Sequence, residues 1–181
     1  MSSPPTAAGT YQLADGEEIF IRPIRESDLP ALEWEGEYQH FRRLYAEHYE
    51  ASKAGTTLIY VAETSTGLMI GQVFLLLDSR NKDVADGRHR AYLFSFRIKP
   101  TYRNQGLGSY MLNYVENQLL LRGYIIVRLN VAQDNPKARA LYERRGYQVI
   151  GLSSGVWQYQ DDQGVWQTMR EPAWKMIKRL R

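Results

Sequence analysis

A chain of 181 residues, 44% hydrophobic and 24% charged, has the composition of a soluble globular protein and the length of one domain around a single core. It contains no cysteine, which excludes disulfide frameworks, thiol nucleophiles and cysteine-based zinc sites. The formal net charge of +3 is spread along the chain apart from Arg88-His89-Arg90 and Lys175, Lys178, Arg179 and Arg181. That dispersion argues against a nucleic-acid interface, while a mild positive field still favours a polyanionic small ligand.

In chain order, residues 1–10 (MSSPPTAAGT) are small, polar and proline-bearing and are expected to form a loose tail before one domain over 11–181. The first residues lack the basic and apolar regions of a leader, and no apolar run is long enough to span a bilayer, so a cytoplasmic protein without membrane contact is expected. Glu18-Ile-Phe-Ile-Arg22 reads as a short strand. Pro23 and the pair Ser27-Asp28 then predict a break and the N-cap of a helix over about 29–37. Phe41, Leu44, Tyr45 and Tyr49 recur at helical spacing, which predicts a second helix over 38–53. Two β-rich runs, 57–63 and 68–77, flank Thr64-Ser65-Thr66-Gly67 and predict a hairpin. Residues 78–90 are almost wholly polar and read as a flexible loop, in which His89 has no second histidine with which to share a metal.

The run 92–98 (YLFSFRI) is a strand stopped by Pro100, and 106–121 is a helix with apolar positions 107, 111, 115 and 119 and a cap at Gly123. A strand over 124–131 leads to Asn135-Pro136, a cap and first-turn pair that opens a helix ending at Gly146. A strand at 147–152, a hairpin of 156–160 with 165–169 around Asp161-Asp-Gln-Gly164, and a strand at 174–180 complete the chain. The order implies a mixed α/β sheet with helices on both faces.

The chemistry concentrates in Pro100-Thr-Tyr-Arg103-Asn104-Gln105-Gly106-Leu107-Gly108. It lies between a strand and a helix, where unpaired N–H groups and the helix dipole favour an anion. Gly106 and Gly108 allow a tight turn and close approach of a phosphate to the backbone. A dinucleotide fingerprint is excluded because Met111 stands where its third glycine belongs, and no Gly-Lys-Ser/Thr string occurs. The segment reads instead as Arg-x-x-Gly-x-Gly after Ile98-Lys-Pro100. It is followed at distance by Asn135-x-x-Ala138-x-x-Leu141-Tyr142-Glu143-x-x-Gly146-Tyr147 and preceded by Ile21-Arg-Pro-Ile24-Arg-x-Ser27-Asp28. Together these blocks resemble the GNAT superfamily of acyl-CoA-dependent N-acyltransferases over about residues 17–181.

The resemblance implies an α/β (α+β) GNAT fold: a mixed, mostly antiparallel central sheet of about seven strands, splayed between the fourth and fifth, with helices on both faces. It implies acetyl-CoA as co-substrate and no metal. The backbone of Phe96 and Ile98 would hold the pantetheine arm, and the amides of Arg103, Asn104, Gln105, Gly106, Leu107, Gly108 and Ser109 would wrap the pyrophosphate. By the same resemblance the Arg103 side chain adds a charge contact, Asn135 and Ala138 line the pantetheine side, and Tyr142 protonates the leaving sulfur. A backbone N–H near Phe96 would steady the developing oxyanion. On residue pattern alone, Tyr142 also reads as a core aromatic, Asn135 as a plain N-cap, and the two glycines as turn residues.

The implied reaction is transfer of acetyl to a primary amine by direct attack. A protein or peptide N-terminal acetyltransferase and a non-catalytic acyl-CoA-binding module stand as alternatives. Glu33, Glu35, Glu37, Glu63 and the polar face of the strand carrying Ser95 are candidate sources of a general base, and none is singled out. The run Trp34-Glu-Gly-Glu-Tyr38 reads either as a seat for a cationic amine or as a solvated helix face. Acceptor contacts are expected from 28–53, 78–90 and the C-terminal hairpin. Trp157, Tyr159, Trp166 and Trp174 read equally as core residues or as a homodimer contact.

Overall fold

The computed structural model of the chain describes residues 8–181. It begins with β1 (Gly9–Gln12) and β2 (Glu18–Pro23), then a 3₁₀ helix over Glu26–Glu33 and α1 (Arg42–Lys53). Next come β3 (Thr57–Thr64), β4 (Met69–Leu76), β5 (Arg90–Ile98), α2 (Leu107–Leu120), β6 (Ile126–Ala132) and α3 (Pro136–Arg144). The chain closes with β7 (Gln148–Ser153), β8 (Val156–Gln160), β9 (Trp166–Arg170) and β10 (Ala173–Arg179). Eight strands form one sheet in the order β1-β2-β3-β4-β5-β6-β10-β7, and β8 with β9 forms a separate hairpin. Within the large sheet every pairing is antiparallel except β5 with β6. This is the mixed, mostly antiparallel sheet expected.

The sheet is covered on both faces, which is why β4 (MIGQVFLL) is buried at all but its last residue and shows no polar alternation. One face packs Ile21, Ile70, Val73 and Leu93 against Leu107, Met111, Val115 and Leu119 of α2, with Tyr142 of α3 in the same core. The other face packs Ile59, Val61 and Phe74 against Phe41 and Tyr45 around α1 and Tyr159 of β8.

Three local expectations are revised. Of the expected tail, residues 1–7 lie outside the described residues, but Gly9 and Thr10 pair with Ile21 and Phe20 in β1. Gly9 is required there because a Cβ would meet the Tyr114 ring of α2 at 2.7 Å. The helix expected over 29–37 is the 3₁₀ segment, which contains Pro30 and ends at Trp34, a buried residue at φ 47 followed by Glu35 at φ 56. Asp28 is not its cap: it accepts from Arg22 Nη1 and Nη2 at 2.7 and 2.9 Å and from the Arg25 N–H at 2.7 Å. The 78–90 loop is ordered by Asp86, whose Oδ1 accepts from the N–H groups of Arg88, His89 and Arg90. Burial pushes that carboxyl up, but the backbone donors outweigh it and hold it at about 2.

Beneath the sheet, Glu116 of α2 is 5% exposed and accepts from the Tyr147 hydroxyl at 2.9 Å and from Lys178 Nζ at 2.6 Å. It ties the C-terminal strand β10 to α2. Removing it strands a poorly solvated ammonium, so Glu116→Ala is expected to lower the unfolding free energy by about 3 kcal/mol in chemical denaturation, with Glu116→Gln losing less.

Candidate active site

Strand β5 carries the irregularity that organises the site. Gln72 pairs with Arg97 and Phe74 with Phe94, so Val73 of β4 faces two residues, Ser95 and Phe96. Ser95 takes φ 50, a conformation a non-glycine residue rarely holds. The extra residue resets the alternation of the strand. Ala91 and Leu93 face α2, and beyond the bulge Phe96 and Ile98 do so, whereas strict alternation would have put Ser95 and Arg97 there. Phe94 and Arg97 are turned to the α1 face, where Phe94 joins the Phe74 core and Arg97 Nη1 reaches Tyr45.

At the same place β5 parts from β6. Their parallel pairing runs from Arg90↔Ile126 to Leu93↔Leu129 and stops. Beyond it β5 stays paired with β4 and β6 with β10, so among the described residues Phe94 to Ile98 have no strand on their other side. This is the expected splay, and it leaves that edge without a strand partner, although the Ile98 carbonyl accepts from the Arg103 side chain.

The glycine turn lies just past that edge. Asn104 at φ 59 and Gly106 at φ 84 lead into α2, and the N–H groups of Asn104, Gln105 and Gly106 make no hydrogen bond to the described residues. The turn is braced by the Tyr11 hydroxyl, which donates to the Gln105 carbonyl at 2.7 Å. A Cβ on Gly106 would collide with that hydroxyl, so glycine is needed there on two grounds. Gly108 sits where a Cβ would touch Leu141 at 3.3 Å and Ile98 at 3.5 Å, bringing β5, α2 and α3 together. Leu107 is buried in the core, and Ser109 lies in the first turn of α2. Free amides, a helix N-terminus and missing Cβ atoms fit a pyrophosphate. The Arg103 side chain folds back instead, donating from Nε to the Ile98 carbonyl at 2.7 Å.

On α3, Asn135 is the N-cap and its side chain accepts from the Ala138 N–H at 3.1 Å. Tyr142 is 7% exposed and its ring meets that of Tyr147 at 5.6 Å. Burial, with Tyr92 nearby, drives its phenol well above the ordinary value of 10 and keeps it protonated.

A cavity of about 440 Å³ opens on the opposite face of β5, between β5, β6, α1 and the start of β8. Tyr92, Ser95, Arg97 and Asn130 line it from the splay, and His48, Tyr45 and Trp157 from the covering elements. None of the expected cofactor residues lines it. The β8–β9 hairpin closes one side, with Phe41 meeting Trp157 at 5.9 Å and Tyr159 at 4.9 Å, and Gln39 donating to Asp162 at 2.9 Å. Of the other C-terminal tryptophans, Trp174 lies under the Arg139 guanidinium and Trp166 is 66% exposed.

None of the acidic candidates for a base lines this cavity. Glu33 accepts from Arg42, Glu35 from Lys99 at 2.8 Å, and Glu63 from Arg22 at 2.7 Å, whose hydrogen bond holds its carboxyl below the ordinary value. Glu37 is exposed. Sequence reasoning missed Arg97, His48 and Tyr92, because no local pattern marks residues that meet only when a helix crosses a sheet.

Residues 21–147 match the family model described as Acetyltransferase (GNAT) family. The chain belongs to the GNAT acetyltransferase family. The fold of this GNAT protein is also that of solved family members. The GNAT domain of S. lividans PAT is 18% identical, with 99% of this chain and 100% of that one covered at a TM-score of 0.70. The ribosomal-protein-S18-alanine N-acetyltransferase from Escherichia coli is 24% identical, covering 90% and 94% at a TM-score of 0.63. A chimera built on the spermidine N-acetyltransferase from Vibrio cholerae is 18% identical, covering 89% and 95% at 0.67. Among the described residues of this GNAT chain, no helix is long and apolar enough to cross a membrane.

His48 supplies a pH test of the cavity wall. Its ring packs on Phe94 at 4.9 Å and Phe74 at 5.8 Å, and burial lowers its pKa from 6.5 to about 4. A depressed folded-state value means the unfolded chain takes the proton first. The contribution is therefore complete above pH 6.5 and is lost as pH falls towards 4. Up to about 3 kcal/mol is at stake. The acid limb of the stability–pH curve is expected to flatten over that window in His48→Gln.

Proposed function

We propose that this chain is an acetyl-CoA-dependent N-acetyltransferase that acetylates the primary amine of a small molecule by direct attack. The observation that carries this reading is the splay of β5 from β6, with a phosphate-ready turn on one side and an open cavity on the other. Family membership supports acetyl-CoA as the donor.

Under this reading the open edge of β5 at Phe96 and Ile98 holds the pantetheine arm, and the amides from Arg103 to Ser109 hold the pyrophosphate. Asn135 and Ala138 border the arm, with the Asn135 cap fixing the start of α3. Acetyl-CoA supplies an activated thioester. The chain contributes position, exclusion of water and proton control. The ladder with β4 is irregular at Ser95 and Phe96, and in this reading a backbone N–H there steadies charge on the carbonyl oxygen. Tyr142, held protonated by burial, is the acid for the leaving thiolate, and this role is worth about 100- to 10,000-fold. The amine enters from the α1 side. A cavity of about 440 Å³, walled on one side by the hairpin, is of a size that suits a small amine.

Calorimetric titration with acetyl-CoA, followed by thiol release across a panel of amines, tests the reading. Binding with turnover supports it, and absence of acetyl-CoA binding sinks it. Two variants separate its parts. Tyr142→Phe is expected to lower kcat at least tenfold with little change in acetyl-CoA affinity. A Gly108→Val side chain intrudes between Leu141 and Ile98 and is expected to weaken acetyl-CoA binding at least tenfold. Unchanged affinity would remove the pyrophosphate assignment.

A further inference from the structure

Arg97 is an unusual group to find on the wall of an acceptor cavity. It extends from β5 just beyond the bulge and lines the cavity. Among the described residues no carboxylate lies within ion-pair distance of it. Its Nη1 donates to the Ser95 hydroxyl at 2.9 Å and the Tyr45 hydroxyl at 3.0 Å, while Nε and Nη2 make no hydrogen bond to the described residues. The guanidinium carbon stands 4.2 Å from the centre of the Tyr38 ring and 5.6 Å from that of Phe41.

A partly buried guanidinium without a carboxylate is uncommon, since such charges are normally paired. Here neutral hydroxyls and ring faces fix its orientation and leave its charge uncancelled. That combination is a preset fork with spare donors, the arrangement that recognises a carboxylate or phosphate. The other ionisable groups on the wall are consistent with this. His48 is held neutral, Tyr45 and Tyr92 are raised by burial and stay protonated, and the one carboxylate among the described lining residues, Glu171, is an exposed residue that accepts from Trp157 Nε1 at 3.2 Å and makes no ion pair with Arg97. A polycation would need several free carboxylates, yet Glu33, Glu35 and Glu63 are bound to Arg42, Lys99 and Arg22. Arg97 itself covers a face of the Tyr38 ring.

We propose that Arg97 is the specificity-determining residue for the acceptor: it binds an anionic group carried close to the reacting amine, so the substrate is an amino carboxylate or an aminoalkyl phosphate. The proposal rests on the acceptor-cavity reading given above and narrows it.

The test uses matched pairs that differ only in the anion, with the full chain saturated in acetyl-CoA and thiol release as the signal. Amino acids are set against their decarboxylated amines, and aminoalkyl phosphates against the corresponding amino alcohols. These two arms also distinguish the two anions. In at least one arm the anionic member is expected to have the higher kcat/KM by on the order of 100-fold. In Arg97→Gln that ratio collapses towards one, mainly through KM, and in Arg97→Lys part of it returns. A merely structural role for Arg97 would lower turnover of both members together and leave the ratio intact, which would overturn the proposal. So would a wild-type enzyme that prefers the uncharged or cationic members, or one that binds acetyl-CoA and turns over neither member of any pair. Loss of acetyl-CoA binding in the wild type would be a different failure, that of the underlying enzyme reading. If Arg97→Gln does not fold, the wild-type ratio still decides.

Discussion

The parallel ladder between β5 and β6 ends after Leu93 and Leu129, and the site grows out of that ending. A strand in the middle of a sheet normally has partners on both sides, which leaves nothing for a ligand to pair with. Here Phe94 to Ile98 keep one partner and lose the other. The bulge at Ser95 works with this parting. By adding one residue it turns Phe96 and Ile98 towards α2 and Arg97 towards α1, giving each face of the gap its own chemistry.

Rigidity around the gap comes from contacts distant in sequence. The Tyr11 hydroxyl of β1 braces the Gln105 carbonyl across 94 positions. Glu116, Tyr147 and Lys178 tie α2 to the C-terminal strands through one buried carboxylate. On the other face the hairpin β8–β9 rests its aromatic residues on Phe41 and closes the cavity from the side. A site that must hold two substrates in register needs such a frame, because misplacement by an ångström costs rate.

Arg97 and Tyr142 show how the environment sets chemistry on the two sides of one sheet. Tyr142 is surrounded by core and stays a neutral acid. Arg97 is stacked on rings, bonded to hydroxyls and left without a counter-charge. The acidic residues Glu33 and Glu35 are paired with the neighbouring cations Arg42 and Lys99. The cavity's character therefore differs from what the acidic sequence run around Trp34 suggests.

Much of this was legible in the chain itself. Strand and helix positions from β3 onward, the glycine turn into α2, the cap at Asn135 and the position of Tyr142 all rest on local rules: a two- or near-four-residue repeat, a glycine at positive φ, a proline in the first helical turn. Their physics acts over a few residues, so the sequence displays it. The tertiary structure decided the rest. Gly9 and Thr10 became a strand because β2 was there to pair with them. The helix expected over 29–37 is instead a 3₁₀ segment that holds Pro30 and ends at the buried Trp34, while Asp28 is held by Arg22. Arg97, His48 and Tyr92 came together around one cavity from places up to 49 residues apart in the chain. No spacing announces such a meeting, since it depends on where a bulge resets a strand and where a helix crosses it.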